Sequence, residues 1–405
     1  MVIALLIVLV GLVVYYYVGY PVMMSLLAKL RAKPWRRDEN FKPRVSVILA
    51  VYNEEAVIEA CVRSISRQQY PPENLEILVG SDGSSDATNT ILTRLSQEDP
   101  RVKPHLFTER RGKVPVVNEL VRASTGEILV FADADITLMP NAVACHTRHY
   151  VDPSIGCVAG QLTYRSSSED ALVTSENDYM SFENKLRQNE ALVHSTVGIF
   201  GGNYSIRRSE FREIPDAPIC DELYSAMQVV ERGLRTVFDV EAITPESFAR
   251  TLEDEFKRKA RFAARGFTTM AFFPKTMSGR SGIMSVILWS HKTLRYGMPL
   301  ILWAILLLTV FAQLAAGVLY LTAMNVAIAA CLGLFLLGGL LDRLKISIPG
   351  IKHFYWLAIM YVAFTIGAWR FFFGKERQFW TQATRTRANL NPNAMAIPEK
   401  EAVGL

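Results

Sequence analysis

A chain of 405 residues that is 50% hydrophobic and 20% charged is too apolar for an ordinary soluble enzyme, yet it has polar sequence enough for one folded domain beside membrane segments. The net charge of +5 is modest and the basic residues gather near apolar runs, which favours lipid headgroups over nucleic acid as their partners. Cys61, Cys145, Cys157, Cys220 and Cys331 are scattered without a Cys-x-x-Cys pair, which argues against a zinc site or a disulfide framework and suits a reducing compartment.

Residues 2–20 are uncharged, mostly apolar and long enough to cross a bilayer. No basic residue precedes them and no small-residue cleavage site follows, so residues 1–22 read as a retained transmembrane anchor. Lys29, Arg31, Lys33, Arg36 and Arg37 follow, and the positive-inside rule then places the next domain in the cytoplasm. The β-branched run Val45 to Val51 reads as a buried strand ending in Tyr52-Asn53-Glu54-Glu55. A helical pattern runs from about Glu55 to Gln68. Leu75 to Val79 reads as a second strand, entering the turn Ser81-Asp82-Gly83-Ser84-Ser85-Asp86. A weaker helix and a strand from Val102 to Phe107 come next, then a helix opened by Arg111-Gly112-Lys113 and a strand through Ile128 to Asp133. This alternation predicts a mainly parallel sheet with active groups at the strand ends.

Candidate site residues follow from those ends. Asp133 and Asp135 close the fourth strand, and in extended chain residues i and i+2 point the same way. Their oxygens suit a hard cation such as Mg2+ or Mn2+, although most Asp-x-Asp triplets are solvated turns. Lys113, at a helix start, is placed to meet a diphosphate; its plainer reading is a solvated lysine, and no P-loop pattern surrounds it. Asp82 and Glu54 read by default as a turn cap and a helix-start acid. Asp221-Glu222 precedes a helix ending near Gly233, and either carboxylate is able to deprotonate a hydroxyl. Gly201-Gly202-Asn203 reads as a tight turn that lets backbone approach a ligand closely. Arg258, Arg261 and Phe262 lie in a basic stretch that reads as an amphipathic helix lying on the membrane.

Residues 280–295 read as an interfacial amphipathic helix, with Ile283, Met284, Ile287 and Leu288 against Ser285, Ser290, His291 and Lys292. Within the membrane region 296–373, Tyr296 to about Tyr320 and Asn325 to Leu341 form an expected hairpin. His353 to Phe373 is the last apolar run, with Arg370 its only formal charge. Lys375, Arg377, Arg385 and Arg387 in the tail 374–405 vote for the inner side, which four full spans forbid, so an interfacial or re-entrant last segment is expected.

The strand end Val-Tyr-Asn-Glu-Glu, Ser-Asp-Gly-Ser-Ser-Asp, Arg-Gly-Lys and Ala-Asp-Ala-Asp stand in the order found in family-2 inverting glycosyltransferases, and residues 44–270 resemble that family. The resemblance extends to membrane-bound members that make polysaccharides or glycolipids. It implies a GT-A, Rossmann-like α/β domain flanked by N- and C-terminal transmembrane or interfacial helices. It implies nucleotide-sugar contacts from Tyr52, Glu54, Asp82, Lys113, Asp133 and Arg258, and Mg2+ or Mn2+ on Asp135. Asp221 or Glu222 would be the base: spacing selects Glu222 and residue type selects Asp221, because the family has Glu-Asp where this chain has Asp-Glu. Arg261 would neutralise the leaving diphosphate, and Gly202, Asn203 and Phe262 would meet the acceptor. Where polysaccharide synthases have Gln-x-x-Arg-Trp this chain has Arg-x-x-Arg-Phe, which weighs against long-chain processive synthesis. The expected activity is hexosyl or N-acetylhexosaminyl transfer from a nucleotide-diphosphate sugar, a UDP-sugar, to a membrane lipid or lipid-linked glycan, in a multi-pass protein of a bacterial inner membrane. A processive polysaccharide synthase is the alternative, and a catalytically inactive membrane scaffold the reading of another class. A dinucleotide oxidoreductase lacks its Gly-x-Gly-x-x-Gly, and a transporter would need more spans.

Overall fold

The computed structural model describes residues 1–165, 171–247, 252–316, 320–344, 346 and 348–374. The tail charges Lys375, Arg377, Arg385 and Arg387 lie outside the described residues.

The catalytic-domain candidate is one seven-stranded sheet. Its strands are β1 (Val45–Val51), β2 (Leu75–Asp82), β3 (Val102–Phe107), β4 (Ile128–Ala132), β5 (Ile155–Arg165), β6 (Tyr204–Arg207) and β7 (Arg235–Ser247), in the spatial order β3-β2-β1-β4-β6-β5-β7. β1, β2 and β4 are buried at every residue, which is why they read as mostly apolar rather than alternating runs; Ser46 and Glu76 are buried and hydrogen-bonded to each other. β3 is an edge strand carrying Lys103, Pro104 and His105, residues that blunt an edge. β2 and β4 flank β1 and both run parallel to it, with Val45 level with Leu75 on one side and Ile128 on the other. The chain passes β1 to β3 in one direction and resumes at β4 on the opposite side of β1, so a crevice opens beyond the carboxyl ends of β1 and β4.

β6 runs antiparallel to β4, with Phe131 opposite Tyr204. Their rings stack at 4.6 Å and 8°. The start of β6 therefore meets the end of β4, and Gly201-Gly202 is carried to the same crevice as Asp133. The intervening helices are α1 (Val2–Leu30), α2 (Ile58–Ser66), α3 (Thr88–Glu98), α4 (Lys113–Ala123), α5 (Ala142–Thr147), α6 (Ala171–Val193), α7 (Asp221–Glu231) and α8 (Leu252–Ala271).

Three helices among the described residues are long and apolar enough to cross a membrane: α1, α9 (Ile283–Leu314) and, after the apolar helix α10 (Tyr320–Arg343), α11 (Gly350–Phe372). Leu5, Ile7, Leu307, Phe311, Leu336 and Phe372 leave their side chains exposed on these helices, a surface suited to lipid. Two boundaries differ from the sequence reading. α1 continues past residue 22 as one helix to Leu30. Residues 283–295 are not a separate surface helix: they open α9, and Ser285, Ser290, His291 and Lys292 are buried together with Met284, Ile287 and Leu288. An amphipathic pattern cannot tell a polar face turned to water from one paired inside the protein.

α11 packs along α8, the helix that carries Arg258 and Arg261. A Cβ at Gly367 would sit 2.5 Å from the Ala260 carbonyl oxygen and 2.6 Å from the Ala263 Cβ. Small residues thus let the last apolar helix seat directly on the domain.

Candidate active site

Short loops after β1, β2 and β4 build the crevice by bonding to one another. Asn53, with φ of 53°, receives the Ser85 N–H on its Oδ1 at 2.8 Å and donates its own N–H to Ser84 Oγ at 3.0 Å. The Glu54 N–H donates to Thr88 Oγ1 at 2.8 Å, and the Ala87 N–H donates to Glu55 at 2.9 Å. The loop after β1 is therefore strapped to the loop after β2. Tyr52 lies under the Arg110 guanidinium, 3.9 Å from ring centre to Cζ. Asp82, 2% exposed, accepts the backbone N–H groups of Arg111 at 2.6 Å and Gly112 at 2.8 Å. It thereby fixes the loop that delivers Lys113. Gly83, at φ +68°, has no room for a side chain, because a Cβ would stand 2.9 Å from the Arg110 nitrogen.

Lys113 is the hub. Its Nζ lies 3.1 Å from Asp133 Oδ1 and 3.1 Å from Asp221 Oδ2. Burial works against its charge, but Asp133, Asp221 and Glu222 outweigh that and hold the ammonium above its usual range. Burial also works against charge on Asp221, yet the Lys113 ammonium and a hydrogen bond with Glu222 hold that carboxyl below its usual range. Glu222 goes the other way: burial first and the Asp221 charge second push it up to about 8. Two adjacent carboxyls with divergent acidities are the arrangement acid–base sites use.

The two acids bond to each other but differ in their other neighbours. Asp221 meets Lys113, whereas Glu222 faces the glycine turn, its Oε2 3.4 Å from where a Gly201 Cβ would be. At Gly202 a Cβ would lie 3.1 Å from Asp133 Oδ2, so the close approach needs glycine. Asn203 is fully buried. Its Nδ2 donates to the carbonyls of Gln161 (3.2 Å) and Ala242 (2.7 Å), and its Oδ1 is 2.7 Å from His146 Nε2. It anchors the turn from behind rather than opening into the crevice.

Asp133 and Asp135 do not extend β4. The strand ends at Ala132 and the chain turns, with the Ile136 N–H reaching the Asp133 carbonyl at 3.4 Å, so strand alternation does not govern their directions. Among the described residues no group of three or more His, Cys, Asp or Glu side chains is gathered for a metal. One or two carboxylates completed by substrate phosphates are nevertheless a normal magnesium site, and the Asp135 carboxylate is a donor of that kind.

α8 brings the remaining candidates. Its Thr269 Oγ1 accepts the Cys220 N–H at 2.8 Å, and the Phe262 carbonyl faces Cys220 Sγ at 3.9 Å, directly before the acid pair. Arg258 donates from Nη2 to the buried Glu255 at 3.0 Å, and Lys259 lies 3.2 Å from the same carboxylate. Arg261 and Phe262 are half-buried one turn further on. The sequence did not reveal Glu255, Arg110 or the Lys113–Asp221 contact; only the first had a local signal, its helical spacing to Arg258 and Lys259.

The open, mostly parallel α/β sheet, with Lys113, strand-end carboxylates and an acid pair gathered at a glycine turn, has a GT-A-like architecture. Residues 46–214 match the profile of glycosyl transferase family 2. The chain is 26% identical over 237 residues to the probable glycosyltransferase YdaM of Bacillus subtilis (strain 168), covering 56% of each chain. It is 26% identical over 240 residues to an N-acetylglucosaminyltransferase of Rhizobium meliloti (strain 1021), again 56% of each. It is 24% identical over 305 residues to a poly-beta-1,6-N-acetyl-D-glucosamine synthase of Staphylococcus aureus (strain COL), covering 68% of this chain and 73% of that protein. The chain thus spans about half the length of the first two curated relatives. Among solved structures, the mannosyltransferase PcManGT from Pyrobaculum calidifontis, in complex with GDP-Man and Mn2+, superposes with a TM-score of 0.70 at 24% identity. It covers 92% of this chain and 100% of that one, which shows a shared fold.

Proposed function

We propose that this chain is a membrane-bound inverting glycosyltransferase, moving a sugar from a nucleotide-diphosphate sugar to a lipid or lipid-linked glycan at the cytoplasmic face of a cell membrane. The observation that carries this is the Lys113 hub. A half-buried cation between the Asp133 and Asp221 carboxylates suits a diphosphate, and Glu222, next to Asp221, borders the glycine turn. The names of the Rhizobium and Staphylococcus relatives favour N-acetylglucosamine as the transferred sugar, and the UDP carrier is what the sequence resemblance leads one to expect.

In this reading Asp82 holds the Arg111-Gly112-Lys113 loop, and Lys113 exchanges its carboxylate partners for the donor diphosphate. Tyr52, Glu54 and Asp133 line the donor side. A divalent cation on Asp135 supplies, when bound, neutralisation of charge on the diphosphate. Glu222 takes the proton of the acceptor hydroxyl, whose oxygen forms the new bond to the anomeric carbon. The bond from that carbon to the phosphate oxygen breaks, its electron pair leaving with the diphosphate, which Lys113 and Arg261 stabilise. One displacement inverts the anomeric configuration. Glu222 is assigned as the base because it faces the turn and because a group poised near working pH is the more effective proton acceptor.

The test is to supply labelled UDP-N-acetylglucosamine, and in parallel other common nucleotide sugars, to native membranes containing the protein. Label in an organic-extractable product is expected. Label only in long polymer would favour a processive polysaccharide synthase, the reading supported by the Staphylococcus similarity. Label only in small water-soluble glycosides would refute both.

A further inference from the structure

A second polar centre lies where the apolar helices meet the domain. Glu183 and Glu190 on α6 are 3% and 0% exposed, and His291 on α9 bridges them, Nε2 at 2.8 Å from Glu183 and Nδ1 at 2.7 Å from Glu190. The Tyr20 hydroxyl of α1 donates to Glu190 at 2.5 Å, and Thr196 donates to it at 2.8 Å. Arg295 and Arg187 both reach Glu183 Oε1, at 3.1 Å and 3.3 Å. One carboxylate oxygen is thus shared by an imidazole and two guanidinium groups.

Lys292 stands in the middle of this centre, 8% exposed, with Arg295, Glu183, Arg187 and Cys220 within electrostatic reach. Its ammonium has no hydrogen bond or ion pair among the described residues. Lysine is almost never this buried without a partner, because desolvating an ammonium is costly. Lys292, Arg187 and Arg295 thus gather three cationic side chains about Glu183.

The backbone has been altered to put it there. Residues 289–293 form a π-helical turn inside α9, closed by the Leu294 N–H on the Trp289 carbonyl. The wider turn brings the consecutive Ser290, His291 and Lys292 all inside. An ideal helix would spread three successive side chains over more than half its circumference. Facing it, residues 15–19 of α1 form another π turn, and Tyr15 and Ser290 join the two at 2.8 Å. Such turns are uncommon and recur at functional positions.

The site adjoins the proposed acceptor side. One turn beyond Lys292, the Tyr296 ring packs on Gly266 of α8 and lies within electrostatic reach of Glu222. Thr293 donates to Met270, next to the Thr269 that holds Cys220. From these observations we infer that Lys292 binds a phosphate group brought by the acceptor, held beside the acid pair where α9 enters the domain. The identification of the phosphate as the acceptor's rests on the glycosyl-transfer reading; the phosphate site itself does not. A phosphate suits a point-charge ammonium flanked by guanidinium groups.

The test uses the full-length protein in detergent, with Trp289 on the same turn as an intrinsic fluorescent reporter. The probes are dioctanoyl phosphatidic acid, dioctanoyl phosphatidylcholine and inorganic phosphate, titrated into wild type, Lys292→Met and Lys292→Arg. Phosphatidic acid is expected to bind wild type and Lys292→Arg, and to bind Lys292→Met roughly 10-fold more weakly or worse. Binding of inorganic phosphate with the same dependence on Lys292 would also support the site and extend it to soluble phosphate. Equal affinity of wild type and Lys292→Met, or no binding of either phosphate probe to wild type, would overturn it. Should Lys292→Met fail to fold, wild type alone decides. Phosphatidic acid must raise its melting temperature above that in phosphatidylcholine, and an equal shift refutes the site. Neither readout uses sugar transfer, so this inference and the proposed activity fail independently.

Discussion

Replacing Glu222 by Gln should cost activity and add stability, with both effects set by pH. In the folded protein burial and the Asp221 charge push Glu222 up to about 8 from its usual value of about 4.5. The folded state therefore keeps a proton that the unfolded chain releases, and wild-type stability falls as pH rises from about 4.5 to about 8. At about 1.4 kcal/mol per pH unit the loss is on the order of a few kcal/mol at alkaline pH and nearly nothing below the usual carboxylate range. Glu222→Gln carries no such titration. It should melt with wild type at acid pH and progressively higher at alkaline pH. With about 2–4 °C per kcal/mol for a domain of this size, the difference should reach on the order of 10 °C or more at pH 9. Turnover should fall by roughly 10²-fold or more with donor binding kept, and wild-type kcat/KM should climb with pH until about 8, where the base is ionised. Melting curves and rates across pH 4–10 check both. A constant stability difference at every pH, or near wild-type turnover in Glu222→Gln, would refute the reasoning.

Asp82→Asn should raise the KM for donor about 10-fold with little loss of fold, because one of two charge-assisted bonds to the Arg111-Gly112 backbone becomes a clash of donors; steady-state kinetics read this. Gly202→Ala should lower kcat well below that of Gly201→Ala, since the first places a Cβ 3.1 Å from Asp133 Oδ2 and the second only makes an ordinary 3.4 Å contact. Asp135→Ala should abolish turnover while the melting temperature holds, and excess chelator should do the same to wild type; full activity in chelator would remove the cation from the account. Gly367→Val should separate α11 from α8, where a single Cβ already meets the Ala260 carbonyl at 2.5 Å, and lower the melting temperature measurably.

The sheet was legible because β1, β2 and β4 are covered on both faces, which leaves them dominated by apolar, often β-branched residues. The strand-end acids were legible for the same reason: a charge ending an apolar run stands out. What joins them was not. Lys113 and Asp221 are far apart in the chain, and nothing local links them; the antiparallel return of β6 beside β4 and the docking of α8 on Cys220 create the meeting. Asn203 shows the reverse failure, since an Asn after two glycines reads as an exposed turn whichever way its amide points. Residues 283–295 read as interfacial because His291 and Lys292 look like a wet face, and their carboxylate neighbours sit on a distant helix.

The most direct test of the account is the anomeric configuration of the product. With an α-linked nucleotide sugar as donor, single displacement by a hydroxyl activated at Glu222 predicts a β-linked product, read by proton NMR coupling at the anomeric centre before any scrambling. An α-linked product would contradict the single displacement and the role given to Glu222.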